Sequence, residues 1–143
     1  MEKATEIQIV DYDTNDYSEL SAHWTELGLG GLHRGDNAEI IDRCNALGGF
    51  LILMKTETGK IIGSSWVTVD GRRSYLHHFG IAKEYQTKGF AAKLMDESMR
   101  RIKEIGMQSK LEVHRNNFKA ISLYKKFEFG YLGDYDVYIN RNI

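Results

Sequence analysis

The segment from Phe79 to Ala91 has the residue types that can hold a phosphate group. A strand-like run leads through a short loop to Gly89, where an amphipathic helical pattern begins. The first turn of a helix offers unpaired N–H groups and a partial positive charge, and a glycine there has no side chain to keep a phosphate away. Lys88 and Lys93 add positive charge nearby. The segment predicts an anion site, and a helix that only happens to begin near a glycine is the competing interpretation.

Spacing excludes two other phosphate-binding patterns and a zinc site. The glycine-rich stretch 28–35 is followed by Asp-Asn, where the Walker pattern requires Lys and Ser or Thr. No Gly-x-Gly-x-x-Gly occurs in the sequence, so a Rossmann dinucleotide site has no support. His77, His78 and His114 do not have a recognised ligand spacing, and we predict no metal site.

His77 and His78 are candidates for proton transfer because the ordinary pKa of histidine lies near 6.5. They are adjacent on a predicted strand, so we expect their side chains on opposite faces and only one of them in a given site. His77 shares its expected face with Phe79 and Ile81. A histidine that is simply packed or exposed is the competing interpretation for each.

The hydrophobic pattern places these residues in one α/β (α+β) domain over residues 1–143. Period-two or apolar runs predict strands at 6–13, 50–56, 60–69, 74–82, 109–114 and 135–139. Asp70-Gly71 predicts a hairpin between the third and fourth of them. Helical spacing predicts helices at 18–27, 36–47, 90–105 and 120–127, the second capped by Asp36.

Composition limits the classes of protein. The 143 residues are 42% hydrophobic, and no apolar run has the length of a membrane span. The start has no secretory signal pattern and there is one cysteine, so the expected location is the cytoplasm. Residues 1–71 hold 5 basic and 12 acidic residues, whereas residues 72–143 hold 14 and 8. The basic half suits a polyanionic ligand and the acidic half a cationic one, unless the charges are distributed by chance.

Two motifs between about Trp66 and Phe129 resemble those of the GNAT superfamily of acyl-CoA-dependent N-acyltransferases. They are Gln86-x-x-Gly89-x-Ala91 and Asn117-x-x-Ala120-x-x-x-Tyr124, in the order and separation of that family. The departures are Lys83 for a usual proline, Ala91 for a frequent glycine, and Glu128-Phe129 for Gly-Phe. This cofactor half is similar to the enzymes that acetylate the N-terminal alanine of a ribosomal protein. The resemblance implies a mixed, mostly antiparallel sheet of six to seven strands flanked by about four helices.

The resemblance also implies acetyl-CoA as co-substrate and names the residues that would bind it. The amides of residues 87–91 would hold its pyrophosphate, and the strand at 79–81 would pair with its pantetheine. Asn117 would hydrogen-bond the pantetheine or instead cap the helix that follows it. The expected cofactor-binding residues are Phe79, Gly80, Ile81, Gln86, Thr87, Lys88, Gly89, Phe90, Ala91, Asn117 and Tyr124.

Three side chains are candidate catalytic residues under the same resemblance. Glu112 matches the base of the alanine-acetylating relatives, and His77 is a second candidate base. A backbone N–H near Ile81 would stabilise negative charge on the carbonyl oxygen. Tyr124 is the candidate acid for the departing thiolate; pKa values near 10 for tyrosine and 8.5 for a thiol make that transfer uphill by about 2 kcal/mol. A solvated glutamate, a packed histidine, a core tyrosine and water as the base are the competing interpretations.

The sequence therefore predicts an N-acetyltransferase that passes an acetyl group from acetyl-CoA directly to a primary amine. A small amine, a peptide N-terminus and a lysine all fit as acceptor. A non-catalytic acyl-CoA-binding module of the same fold is the alternative. A nucleic-acid-binding role is disfavoured by the net charge of -1. The final strand or the cluster of Tyr131, Tyr135 and Tyr138 would serve as the interface if the protein is a homodimer.

Overall fold

The protein is built around one five-stranded sheet with four α-helices, seen in a computed structural model that describes residues 6–143. The strands are β1 (Gln8–Asp11), β2 (Phe50–Lys55), β3 (Ile61–Val69), β4 (Arg73–Ile81) and β5 (Gln108–Leu111). The helices are α1 (Tyr17–Glu26), α2 (Ala38–Ala46), α3 (Phe90–Ile105) and α4 (Phe118–Lys126). The strands lie in the order β1-β2-β3-β4-β5, antiparallel except for the parallel pair β4–β5.

The predicted hairpin at Asp70-Gly71 is confirmed and joins β3 to β4. Gly71 has a φ of 90°, which suits glycine. The Asp70 carboxylate accepts hydrogen bonds from the N–H groups of Arg72 and Arg73 at 2.8 and 2.7 Å. These local bonds turn the chain, and β4 then pairs along β3 from Ser74 onward.

The sheet has fewer strands than the six to seven predicted, because the segment 135–139 is not a strand. Tyr135 and Tyr138 are 80% and 91% exposed, and residues 130–143 form no regular structure. Gly133 and Asp134 have φ values of 60° and 46°, so the chain turns immediately before this segment. An alternating sequence forms a strand only when a neighbour completes its backbone hydrogen bonds, and the described residues supply no such neighbour here.

Both faces of the sheet are buried, which explains the nearly continuous apolar sequences of β2 and β3. Because side chains alternate along β2, Leu51 and Leu53 join a cluster with Trp24 of α1. Ile52 and Met54 join a second cluster that includes Phe90 and Leu94 of α3. The sheet thus separates an α1–α2 face from an α3 face.

The chain divides into two compact units, Met1–Glu112 and Val113–Ile143. The first contains the sheet and α1 to α3, and the second contains α4 and the segment after it. Among the helices of residues 6–143, none combines the length and the apolar character that a membrane crossing requires.

Candidate active site

A β-bulge in β4 shapes the α1–α2 face of the sheet. Ser64 pairs with Gly80 and Trp66 pairs with His77, so two residues of β4 lie opposite one residue of β3. His78 sits in the bulge with a φ of 46°. The expectation that His77 and His78 point to opposite faces is therefore wrong: the centroids of the two imidazole rings lie 5.7 and 5.6 Å from that of Trp66.

The pairing of β4 with β5 ends before the bulge. Their last pair is Leu76 with Leu111, and β4 continues for five more residues to Ile81. The Ala82 N–H donates to the Ile62 carbonyl at 2.7 Å, toward β3. Since successive residues of a strand direct their N–H groups to opposite edges, the Ile81 N–H points to the edge that faces away from β3. This edge presents backbone groups to an extended, amide-containing ligand.

The predicted phosphate loop ends in an uncapped helix start. Gly89 is the N-cap of α3, with a φ of 84° and no side chain to accept a hydrogen bond. The Lys93 N–H bonds the Gly89 carbonyl at 3.2 Å, so the N–H groups before it lack an acceptor within the helix. A Cβ at Gly89 would meet nothing within 4 Å, and the first turn of α3 has no acidic residue. The loop fits a pyrophosphate in both space and charge.

Gln86 and Thr87 shape this loop through contacts with the backbone. The Gln86 side-chain amide donates to the Ile81 carbonyl at 2.8 Å, which ties the loop to the end of β4. Thr87 has a φ of 63°, and its hydroxyl donates to the Gln86 carbonyl at 2.6 Å. Lys88 is exposed beside them. Gln86 therefore positions the loop, a role that the motif did not reveal.

The two candidate bases of the first unit lie in different surroundings. Glu112 is exposed and directly follows Leu111, the last residue of β5. His77 is largely buried and shares a 2.8 Å hydrogen bond with the Thr68 hydroxyl. Burial lowers the pKa of His77 below its ordinary 6.5, so the ring is neutral at neutral pH.

A partly buried His–Asp pair, which sequence reasoning missed, lies next to His77. His78 Nε2 lies 2.7 Å from a carboxylate oxygen of Asp36. Trp24 Nε1 donates to the Ser64 hydroxyl, which in turn donates to the His78 carbonyl. Asp36 is not the helix cap that we predicted, because Asn37 caps α2 by accepting from the Ile40 N–H. The partners lie 42 residues apart, and no local pattern connects them.

His23 of α1 is a buried histidine that sequence analysis did not single out. It is 5% exposed, and its ring lies near the backbone of Gly80. Burial is the largest influence on the ring and lowers its pKa. Its Nε2 has no hydrogen-bond partner within residues 6–143. A helical pattern with a histidine on its apolar face was the only available signal.

The second unit holds the two remaining candidates on α4. Asn117 is the N-cap of α4, and its side-chain oxygen accepts from the Ala120 N–H at 3.2 Å. Capping this helix was one of the two roles expected for Asn117. Tyr124 is buried, with its ring centroid 6.0 Å from that of Phe129. Burial raises the pKa of Tyr124 to about 12. Its phenol is therefore fully protonated at neutral pH.

Within the residues that the structure describes, no group of three or more His, Cys, Asp or Glu side chains is arranged to hold a metal ion.

The chain matches a protein-family model and several solved structures. The model of the Acetyltransferase (GNAT) family matches residues 16–129. A GNAT-family acetyltransferase from Staphylococcus aureus Mu50 is 20% identical, covers 84% of this chain and 81% of its own, and gives a TM-score of 0.76. The ribosomal-protein-S18-alanine N-acetyltransferase from Escherichia coli is 17% identical, with 85% and 76% covered and a TM-score of 0.70. A predicted acetyltransferase from Clostridium acetobutylicum, solved with acetyl-CoA, is 15% identical, with 94% and 96% covered and a TM-score of 0.74.

No curated protein matches the chain. The solved structures have low sequence identity to this chain and therefore show its fold. The family model matches most of the 143 residues and therefore shows its family. The similarity noted in the sequence is confirmed by both, including the similarity to a ribosomal-protein alanine N-acetyltransferase. Because the family model matches residues 16–129, the chain belongs to the GNAT acetyltransferase family.

Proposed function

We propose that the protein is an N-acetyltransferase that transfers an acetyl group from acetyl-CoA directly to a primary amine. The observation that carries the proposal is the edge of β4 beyond its last pair with β5, which leads into the uncapped start of α3. A strand edge suits the pantetheine amides, and helix N–H groups suit the pyrophosphate. The acceptor is a small amine, a peptide N-terminus or a lysine.

The cofactor site of the proposal combines backbone and side chains. Phe79, Gly80 and Ile81 offer strand-edge groups to the pantetheine, and the segment 86–91 offers N–H groups to the pyrophosphate. Lys88 adds positive charge there, and Gly89 leaves room. Asn117 and Tyr124 enter the proposal through the family motif on α4.

Acetyl-CoA would supply the acetyl group on a thioester, and the residues of the chain would manage the protons and the charge. The amine must be neutral to attack, so a base takes one of its protons, directly or through water. Glu112 is our first candidate because it is exposed and directly follows β5. His77 is the second, as a neutral imidazole. The Ile81 N–H would hydrogen-bond the acetyl carbonyl oxygen as negative charge develops on it.

Tyr124 is the proposed acid for the leaving thiolate. With a tyrosine pKa of about 12, complete transfer to a thiolate of pKa near 8.5 is uphill by about 5 kcal/mol rather than about 2 kcal/mol. We therefore propose that the Tyr124 phenol donates a hydrogen bond to the sulfur and gives up its proton only as the carbon–sulfur bond breaks.

The proposal covers residues 1–143 as one acetyltransferase domain that acts in the cytoplasm, independently of metal, nucleic acid or membrane. The alternative is a non-catalytic acyl-CoA-binding module. It would use the same edge and loop but would not depend on Glu112 or Tyr124.

A thermal-shift titration with acetyl-CoA, with ATP as the control, tests the cofactor. A ligand at 100 times its dissociation constant adds about 2.7 kcal/mol to the free energy of unfolding. We expect a clear shift with acetyl-CoA that exceeds the shift with ATP, followed by amine-dependent release of free thiol. The absence of a shift at millimolar acetyl-CoA would contradict the proposal. A shift without thiol release with any class of amine would favour the binding module.

A further inference from the structure

The segment that follows α1 lies directly against the end of β4, where Gly80 is the residue at the contact. A Cβ on Gly80 would lie 2.8 Å from Leu27 Cδ1 and 3.5 Å from Leu29 Cδ1. The φ of Gly80 is not in the left-handed region, so its backbone does not require glycine. Packing explains the glycine instead, because a side chain at this position would collide with Leu27. We refer to Leu27 and Leu29 as the leucine wall.

The leucine wall is held in place by the end of α1. Leu27 is the C-cap of this helix, and Gly28 follows it with a φ of 74°. The Gly28 N–H donates to the Thr25 carbonyl at 3.1 Å, and the Leu29 N–H donates to the Trp24 carbonyl at 2.7 Å. These two bonds form a Schellman motif, which ends a helix in one defined conformation. Leu29 also packs against the cluster that contains Trp24. The wall therefore cannot move away from β4 without breaking the hydrogen bonds of the cap.

The leucine wall and α3 lie on opposite faces of β4. Ile81 belongs to the cluster on the α3 face, Phe79 packs against that cluster, and the first residue of α3 joins it. Gly80 lies between them and meets the leucine wall on the α1–α2 face. A coenzyme whose pyrophosphate is held at the start of α3 therefore reaches the edge of β4 from the face opposite to the wall.

This arrangement determines where the acyl chain of a bound thioester points. The carbonyl carbon of a thioester is planar, so its oxygen, its sulfur and its acyl chain point in three different directions. In the proposed function the oxygen lies at the Ile81 N–H, and the sulfur lies on the side of α3. The acyl chain then points toward the remaining side, where Leu27 and Leu29 cover Gly80. An acetyl group places only a methyl group there, whereas a butyryl group places a propyl chain.

We propose that the leucine wall determines which acyl chain the protein accepts, so that it binds acetyl-CoA and disfavours butyryl-CoA and longer acyl-CoAs. This inference rests on the proposed function, because it places the thioester at the edge of β4. Extra methylene groups that are forced against a packed surface displace side chains and reduce affinity. The helix cap makes that displacement costly for Leu27, which lies nearer to Gly80 than Leu29 does.

Isothermal titration calorimetry of the full chain with acetyl-CoA and with butyryl-CoA tests the wall. We expect the unaltered protein to bind butyryl-CoA about tenfold more weakly than acetyl-CoA, as is usual when added methylene groups do not fit. The Leu27→Ala variant removes the side-chain atoms nearest to Gly80. It should bind butyryl-CoA more tightly than the unaltered protein does, with the two acyl-CoA affinities then within about threefold of each other.

Leu47→Ala is the matched control variant. Leu47 is the C-cap of α2, and Gly48 follows it with a φ of 111°, as Gly28 follows Leu27. No atom of Leu47 lies within 4 Å of a Cβ placed on Gly80. This variant should keep the preference of the unaltered protein. If Leu27→Ala fails to fold, as judged by circular dichroism, Leu27→Val replaces it, because valine lacks the Cδ1 atom that lies against Gly80.

A preference for acetyl-CoA that is lost in the Leu27 variant and kept in Leu47→Ala would support the inference. Equal affinities of the unaltered protein for the two acyl-CoAs, or tighter binding of butyryl-CoA, would overturn it and leave the proposed function standing. A folded Leu27 variant that keeps the full preference would overturn it as well, as would an equal loss in Leu47→Ala. No binding of either acyl-CoA by the unaltered protein would contradict the proposed function itself, and with it the inference.

Discussion

At the level of single side chains, burial decides the protonation state of the candidate catalytic groups. Tyr124, with a pKa of about 12, remains a phenol at every pH at which the protein would work. His77 and His23 are neutral near pH 7 because burial disfavours their charged forms. As a phenol, Tyr124 can donate a hydrogen bond, and each of the two neutral imidazole rings can accept one.

Tyr124→Phe removes the phenol and leaves the packing against Phe129 in place. We expect kcat to fall by about 100-fold, the usual contribution of a general acid, with an unchanged acetyl-CoA thermal shift. The measurement is steady-state thiol release with a substrate amine. An unchanged kcat would remove Tyr124 as the acid. Because the pKa is about 12, the rate of the unaltered enzyme should show no decline from Tyr124 ionisation below about pH 10.

The buried histidines predict a loss of stability in acid. Their folded pKa values lie below the unfolded value near 6.5, so the unfolded chain binds more protons once the pH falls below that value. Above about pH 7 the two histidines should leave the free energy of unfolding unchanged, because they are then neutral in both the folded and the unfolded chain. Below that pH the free energy of unfolding should fall by at most about 1.4 kcal/mol per pH unit for each histidine.

Urea unfolding between about pH 7.5 and pH 5 measures this loss. The His77→Gln variant should show a smaller decrease over that range than the unaltered protein. The exposed His33 provides the control, and His33→Gln should follow the unaltered protein. A decrease that is identical in all three proteins would assign the acid sensitivity to other groups.

At the level of helices and strands, the start of α3 is the element on which the proposed cofactor site depends. Its N-cap Gly89 and its C-cap Gly106 have nearly equal φ values of 84° and 80°, and a Cβ at either would meet nothing within 4 Å. The two ends therefore offer matched positions for the same substitution.

Gly89→Asp places a carboxylate over the N–H groups that would bind pyrophosphate. We expect acetyl-CoA affinity to fall by about tenfold or more, because the helix start then carries its own anion. Gly106→Asp imposes the same backbone strain at the opposite end and should leave the affinity unchanged. Isothermal titration with acetyl-CoA measures both. Equal affinities of the two variants would show that the start of α3 does not hold the pyrophosphate.

At the level of the complete protein, the exposed apolar residues after α4 are the main feature without a partner in the described part of the chain. Tyr131, Tyr135, Val137 and Tyr138 are between 71% and 92% exposed. A contiguous exposed apolar segment marks an interaction surface more often than a monomer surface. A second copy of the chain is the partner that we expect.

Sedimentation equilibrium tests this homodimer. The chain mass is 16.4 kDa, so a dimer should sediment at twice that mass. The double variant Tyr135→Ser/Tyr138→Ser should sediment as the 16.4 kDa monomer. Exchanging Leu47, an exposed apolar residue at the end of α2, for Ser is the control and should leave the dimer intact. A monomer at about 100 μM for the unaltered protein would contradict the expectation.

Local sequence was sufficient for the features that depend on neighbouring residues. The Asp70-Gly71 hairpin, the span of α3 between Gly89 and Gly106, and the cap at Asn117 all follow from hydrogen bonds within a few residues. The family motifs lie in these same segments. Turn and cap chemistry acts over short chain distances, which is why the sequence alone predicted the hairpin and the span of α3. The resemblance of the motifs indicated the acetyltransferase family, which the family model confirms.

Packing between distant segments determined the features that the local sequence did not predict. The bulge at His78 brings both histidines to one face, against the period-two expectation, and joins His78 to Asp36 across 42 residues. His23 meets the Gly80 backbone only because α1 packs on the sheet. The alternating segment 135–139 remains unpaired because a strand needs a neighbour that its own sequence does not specify. Such contacts depend on how distant elements meet in three dimensions, and local propensities do not encode that arrangement.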